Sequence, residues 1–278
     1  MSAGPIAVVG HIEWTDFAKV ERVPEPGAIV DATADWQQVA GGAAVAAVQI
    51  AKLTGSCLFF TAIGDDEIGR NAARDLEAMG VDVAAAWRRE PQRRAFVFLD
   101  DAGERTITTI GSRLAPSGAD DLPWERLAET AGVYFTAGDA GALELAREAD
   151  AVVATVRAGE VLAEAGVELD ALVRSASDPG EGYRGGLEPA PRAVITTNGA
   201  SGGRIETADG SASDWIAAPL PGPLIDVHGA GDSFAAGLTV GLGEGMELQD
   251  AVALGARCGA ACATGRGPYE RQLTAADR

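Results

Sequence analysis

The sequence is poorest in lysine. Only Lys19 and Lys52 of its 22 cationic residues are lysines; the other 20 are arginines, set against 41 acids for a formal charge of −19. A surface this acidic repels nucleic acid and anionic lipid, which excludes both as general partners. An anionic small molecule is not excluded, because backbone N–H groups and helix N-termini hold anions without lysine. Three cysteines, Cys57, Cys258 and Cys262, make no disulfide framework. The last two are spaced as small apolar residues on one helix face. With two histidines there is no Cys/His cluster of zinc spacing. No run of about 18 apolar residues exists, so no membrane helix is expected. Residues 1–10 lack the basic and apolar regions of a signal peptide. The expectation is a soluble, cytoplasmic, globular protein with 47% hydrophobic residues.

What is present alternates between strand and helix. Residues 6–9 are a short apolar run ending at Gly10, a buried strand. Over residues 11–35, Ile12, Trp14, Phe17, Val20 and Val23 alternate loosely with polar residues and Pro24 and Pro26 interrupt. That pattern predicts strands exposed on one face, outside the main core. Gly41-Gly42 opens a small-residue helix over 43–53, followed by a strand at 58–62. Asp65-Asp66-Glu67 starts a helix that runs to Met79, with Gly80 as its stop. Strands are predicted at 81–86, 94–99 and 105–109, the last two joined by a turn at 100–103. Beyond Pro123, strands at 133–136, 151–155, 171–174 and 194–197 alternate with helices at 141–147 and 159–165, a parallel sheet covered on both faces. A hairpin of 202–207 and 215–217 and helices at 231–242 and 248–264 complete the chain. The expectation is one α/β domain over residues 1–278, with segments 11–35 and 88–110 inserted as a small β-layer. A Rossmann dehydrogenase is excluded, because Gly10 is followed by His11-Ile12-Glu13 and not by G-x-G-x-x-G.

The most informative segment is Asp226-Val227-His228-Gly229-Ala230-Gly231-Asp232-Ser233-Phe234-Ala235-Ala236-Gly237. Gly229-Ala230-Gly231 permits a tight turn with successive N–H groups aimed one way at a helix N-terminus, a geometry suited to a phosphoryl group in transfer. Asp232 in the first turn can take a proton from an attacking hydroxyl. The same residues also read as an ordinary helix start capped by Asp232.

The segment resembles the C-terminal signature of the ribokinase family, the phosphofructokinase-B-type carbohydrate kinases, D-T-x-G-A-G-D-x-F-x-x-G. It matches at Asp226, Gly229, Ala230, Gly231, Asp232, Phe234 and Gly237, with Val227 for the usual threonine. Gly41-Gly42, the helix after it, Gly64-Asp65-Asp66-Glu67-Ile68-Gly69 and Thr197-Asn198-Gly199-Ala200-Ser201-Gly202 match other family elements in order, so the resemblance runs from Val8 to about Gly267.

The resemblance implies a three-layer α/β/α fold with a mostly parallel central sheet and a small β-sheet lid. It implies Asp232 as catalytic base and the amides of Gly229, Ala230 and Gly231 as the anion hole. Thr197, Gly199 and Gly202 would lie along the nucleotide, and Gly41 and Gly42 would approach the sugar. Asp226 would hold a monovalent cation such as potassium, or simply close its loop. The implied cofactors are ATP and magnesium. Three departures stand out. The helix after Gly42 has no Asn for sugar hydroxyls. The family's hydroxyl-binding Asp lies five residues after the first glycine, whereas here Asp16 lies six after Gly10. Asp16 is the first choice for that contact and Glu13 the second, and strand alternation lets only one face the pocket. The magnesium-organising N-x-x-E becomes Ser175-Ala176-Ser177-Asp178, with Asp178 the first choice and Glu181 the second. Trp14 either stacks on a substrate ring or packs in the lid. Arg157 is the leading side-chain cation for a phosphate or a charged substrate.

The expected function is phosphoryl transfer from ATP to a hydroxyl, a primary alcohol, of a sugar-like molecule. A nucleoside kinase of the same fold and a non-catalytic ligand-binding pseudokinase are the alternatives. A homodimer through the lid is expected, with Ile12, Trp14, Phe17, Phe96 and Phe98 as its candidate surface.

Overall fold

The computed structural model describes residues 4–278, so the signal-peptide reading of residues 1–10 lies in part outside the described residues. In chain order the strands and helices are β1 Ile6–Val9, β2 Glu13–Lys19, β3 Ala34–Ala40, α1 Gly42–Thr54, β4 Cys57–Gly64, α2 Glu67–Ala78, β5 Val81–Arg88, β6 Arg94–Leu99, β7 Arg105–Ile110, β8 Gly132–Phe135, α3 Ala140–Ala146, β9 Val152–Thr155, α4 Gly159–Ala165, β10 Ala171–Ser175, β11 Ala193–Thr197, β12 Gly203–Thr207, β13 Ala212–Trp215, α5 Ala230–Gly243 and α6 Leu248–Cys262. Among the described residues the strands form two sheets. The large one has the order β13-β12-β11-β10-β9-β8-β1-β4-β5, and the small one β3-β2-β6-β7. In the large sheet β5, β4, β1, β8, β9, β10 and β11 pair in parallel, and only β12 pairs antiparallel, with β11 on one side and β13 on the other. This is the expected α/β layering with a lid.

Each face of the parallel sheet buries its own apolar cluster. One gathers Val8, Phe59, Ile195, Phe234 and the small residues of α1 and α5; the other gathers Phe60, Leu127, Phe135 and Leu172. Removing a Phe or Leu side chain of this kind from water contributes about 1.5–3 kcal/mol. Helices α1 and α5 are buried along most of their length. Small residues let them pack closely: a Cβ on Gly237 would lie 2.8 Å from Cys258 Sγ and 2.9 Å from Gly255 Cα. Cys258 and Cys262 are buried free thiols, packed as the sequence predicts. Asp66 caps α2 by accepting the Gly69 N–H at 2.8 Å.

Two boundaries differ from expectation. The lid strand β3 runs to Ala40, past residue 35, and delivers the chain straight into Gly41. Its polar stretch Asp35-Trp36-Gln37-Gln38 hides the strand, because only one face is covered. The last strand is Ala212–Trp215, not 215–217, since pairing of Gly203 with Trp215 ends the ladder there.

The parallel register fixes the site. Strands β1, β8, β9, β10 and β11 all end at one edge. Their C-terminal ends are followed by His11, Thr136, Arg157, Asp178 and Gly199. That edge is where α/β sheets bind ligands.

Candidate active site

Gly229 begins α5 at φ +81°, a left-handed conformation that favours glycine. A Cβ there would lie 2.6 Å from Pro268 Cβ and 2.9 Å from Val45 Cγ1. Gly231 has nothing within 4 Å of its Cβ position and is exposed, so the first turn of α5 is open on that side. Asp226 shapes the approach to this turn. Its carboxylate is buried and accepts the N–H groups of His228 at 2.8 Å and of Gly267 at 3.0 Å. Burial raises its pKa and those two bonds oppose the rise. The loop-closing alternative for Asp226 is therefore realised in its geometry.

Asp232 is crowded by protein but keeps part of its surface open. Burial pushes its pKa up to about 6; Arg105 and Arg157 oppose the shift, and Glu181 and Glu13 add to it. A carboxylate near pH 6 is a competent base at neutral pH. Gly42 faces it directly, with its Cβ position 2.6 Å from Asp232 Oδ1. Gly41, at φ +90°, brings the start of α1 against the chain at His11–Glu13, its Cβ position 3.0 Å from the Glu13 N. The glycine pair thus joins the base to the lid stem.

The lid settles which acid faces that way. Glu13, Thr15 and Phe17 share one face of β2, and Trp14 and Asp16 the other. On the first face, Glu13 lies close enough to Asp232 to raise its pKa, and Phe17 meets the His228 ring edge-on at 5.2 Å. On the second, Asp16 accepts a bond from Gln37 and pairs with Arg94 at 3.0 Å. It lines a hollow of about 460 Å³ with Phe17, Ala18, Asp35 and Phe96. Trp14 packs against the main apolar cluster. Of the two candidate acids, Glu13, the second choice, is the one that acts on Asp232, and Trp14 is half-buried. Residue Thr15, five after Gly10, is buried on the Glu13 face, and its Oγ1 has no partner among the described residues. The proposed dimer surface is corrected as well. Ile12 and Phe17 are buried inside the chain, while Phe96 and Phe98 stay partly exposed as an edge-to-face pair at 4.9 Å.

Arg157 does not stand free. It pairs with Asp178 and, at 2.6 Å, with Glu181, whose other oxygen accepts the Ser175 N–H at 2.6 Å. Both candidate magnesium carboxylates are therefore held by Arg157, and Glu181 is near enough to Asp232 to raise its pKa. Along the nucleotide-type turn, Thr197 ends β11 and donates to the Arg174 carbonyl at 3.3 Å. Gly199 has φ +52° and open space at its Cβ position. Gly202 is needed for packing, because its Cβ would lie 2.1 Å from the Trp215 carbonyl. Arg105, one of the lid arginines that the sequence offers beside Arg93 and Arg94, leans from β7 to donate to the Val227 carbonyl at 2.9 Å, whereas sequence reasoning missed Arg113 beyond β7. Their shared signal was a lid position in a chain whose cations are almost all arginine.

Comparison with known proteins shows the family and the fold. The family model for the pfkB family of carbohydrate kinases matches residues 5–159 and 167–275. An ATP-dependent ribose-1-phosphate kinase of Halopiger xanaduensis is 28% identical over 90% of this chain and 89% of its own. A fructokinase of Salmonella typhimurium is 28% identical over 85% and 91%. The ribokinase of Arabidopsis thaliana, solved with ribose and ATP, superposes with a TM-score of 0.78 at 21% identity, covering 99% of this chain and 97% of that one. No helix among the described residues is long and apolar enough to cross a membrane. By sequence and by fold, the chain belongs to the pfkB family of carbohydrate kinases.

Proposed function

We propose that this carbohydrate kinase transfers the γ-phosphoryl group of ATP to a primary hydroxyl of a sugar-like acceptor, with Asp232 as the base. The observation that carries the reading is the placement of Asp232. It stands in the first turn of α5, beside the open Gly231 and against Gly42, with its pKa raised to about 6. The acceptor oxygen bonds to the γ-phosphorus as the bond to the β–γ bridging oxygen breaks. ADP leaves, and the hydroxyl proton passes to the Asp232 carboxylate. The amides of Gly229, Ala230 and Gly231, at the positive end of α5, meet the charge spread over the transferred group. Thr197 and Gly199 line the nucleotide side, and Glu13 the acceptor side.

Magnesium bound with the nucleotide would neutralise phosphate charge. Among the described residues no three metal-ligating side chains cluster, which fits an ion held mainly by phosphates and water. Asp178 and Glu181 would hold it through water, sharing Arg157 as counter-charge. A monovalent cation near Asp226 would rely on backbone carbonyls, since both carboxylate oxygens already accept N–H groups.

A sugar acceptor is favoured over a nucleoside because Trp14, the candidate base-stacking residue, is half-buried against the main apolar cluster. The test is ADP release with magnesium and ATP over sugars, sugar phosphates and nucleosides. Asp232→Asn should lower the rate on the best acceptor roughly 10²- to 10⁴-fold. An unchanged rate removes Asp232 as base, and no turnover on any acceptor favours the pseudokinase.

A further inference from the structure

Lid strand β3 lies along segment 266–269, beyond the end of α6. The Arg266 guanidinium rests on the face of the Trp36 ring, 4.6 Å from its centroid. The Cβ position of Gly267 lies 2.7 Å from Gln38 Nε2, and the Tyr269 hydroxyl donates to the Val39 carbonyl at 2.8 Å. Trp36 is in turn stacked on Phe17, its cross-strand partner on β2, with centroids 4.8 Å apart and planes 3° from parallel. Phe17 is buried and meets the His228 ring edge-on at 5.2 Å. Arg266, Trp36, Phe17 and His228 thus form one continuous row, from the exposed surface to the residue before Gly229.

The two ends of the row are joined a second time. Asp226 accepts the His228 N–H on Oδ1 and the Gly267 N–H on Oδ2. A buried carboxylate therefore ties the backbone at both ends, and the two lid residues span the gap between the end side chains. Burial, with the charge of Arg105, lowers the His228 pKa to about 3, so its ring is neutral at pH 7. Its buried Nδ1 has no hydrogen-bond partner among the described residues. Packing against Phe17, and not a bond to Nδ1, therefore sets the angle of this ring. Arg266 is exposed, yet its planar guanidinium is held on the indole face by the charge distribution of the ring. Close-packed groups transmit strain, so a shift at one end of such a row is felt at the other.

We infer that Arg266 and Trp36 are positioning residues of the reaction: acting through Phe17 and His228, they seat the lid on the loop before α5 and so fix the turn at 229–231 and Glu13 relative to Asp232. Neither residue is assigned a contact with nucleotide or acceptor. Phe17 and Glu13 share one face of β2, so the stop that Phe17 meets at His228 also sets how closely Glu13 approaches the base. The inference rests on the kinase reading above.

Arg266→Ala, Arg266→Lys, Trp36→Phe and Trp36→Leu are compared with wild type on the best acceptor from the ADP-release panel, and thermal unfolding and the His228 ring-proton resonances are followed in each. The chain has two histidines, so the His228 resonances are assigned by their absence in His228→Gln. Arg266→Ala should lower kcat roughly 5- to 50-fold, with the KM for magnesium-ATP within about twofold of wild type. Its thermal midpoint should move by no more than about 2 °C, because the side chain is exposed. Arg266→Lys keeps the charge but not the plane and should recover part of the loss. Trp36→Phe keeps an aromatic face and should retain more of kcat than Trp36→Leu, whereas a residue that only fills space would make the two alike. The His228 resonances should shift in Arg266→Ala and in Trp36→Leu. Either an unchanged kcat or unmoved His228 resonances in Arg266→Ala overturns the inference, as does equal loss in Trp36→Phe and Trp36→Leu. If Asp232→Asn keeps the wild-type rate while Arg266→Ala still lowers kcat and moves His228, the row stands and the base assignment falls. Absence of turnover on every acceptor removes the kinase reading, and the link from Arg266 to the α5 loop is then judged by the His228 resonances alone.

Discussion

At the scale of single residues, Asp232 couples activity to stability. Its pKa lies near 6 in the fold and near 3.9 in the unfolded chain, so folding prefers the neutral acid. The stability it contributes is fully present below about pH 4 and is lost as pH rises through about 6. Asp232→Asn should therefore unfold at higher denaturant than wild type at pH 8, by roughly 1–3 kcal/mol, and the gap should close by pH 4. Catalysis has the opposite sign. With wild type, kcat/KM should fall about tenfold per pH unit below pH 6 and level off above it. A flat profile from pH 5 to 8 would contradict the base assignment. Gly42 tests the same carboxylate sterically. Gly42→Ala adds a Cβ 2.6 Å from Asp232 Oδ1 at a helical position where alanine is otherwise preferred. The carboxylate must move, so kcat should drop roughly 10- to 100-fold while the thermal midpoint holds or rises.

At the scale of elements, the start of α5 is held from two directions. Asp226 ties its loop to Gly267 in the C-terminal segment, and Arg105 ties it to the lid. The C-terminal segment is in turn bound to α1: Gln272 Nε2 donates to the Val45 carbonyl at 2.9 Å, and Gln49 Nε2 to the Leu273 carbonyl at 2.8 Å. Asp226→Asn would turn an amide nitrogen toward one of two N–H donors, so it should cost about 1–3 kcal/mol in denaturant unfolding and lower kcat as the α5 turn loosens. A stability loss with kcat unchanged would show that the loop is not part of the reaction. These ties also explain what could be read without coordinates. The parallel strands and the α5 turn were legible, because periodicity and a twelve-residue pattern encode them locally. The face of β2 was not. Choosing between Glu13 and Asp16 requires the register of a lid strand, and Thr15 had no acidic side chain to draw notice. The contact of Arg105 with Val227 crosses 122 residues and leaves no trace in spacing. The strand β3 was hidden by its polar residues, since one covered face gives half the usual apolar signal.

At the scale of the whole molecule, the −19 charge acts against the ligands the site is built to hold. Long-range repulsion slows the approach of a nucleotide polyanion, while the partly buried arginines and the α5 N-terminus attract it only at short range. Salt separates the two, because a Debye length of about 10 Å at 0.1 M screens distant surface charge far more than a partly buried pair. Between about 0.01 and 0.15 M sodium chloride the KM for magnesium-ATP should therefore fall, the reverse of a site served by a basic surface. The same screening relieves self-repulsion of the fold. The thermal midpoint should rise over this interval and flatten beyond it, once the Debye length is shorter than the spacing of surface carboxylates. Exclusion of salt from apolar surface predicts a different curve, rising through molar concentrations and steeper in sulfate than in chloride. A midpoint that saturates near 0.15 M in both salts, alongside a falling KM, would mark the acidity as a long-range charge effect. A KM that rises from the first addition of salt would mean that local attraction at the arginines and the α5 N-terminus governs approach even at low ionic strength.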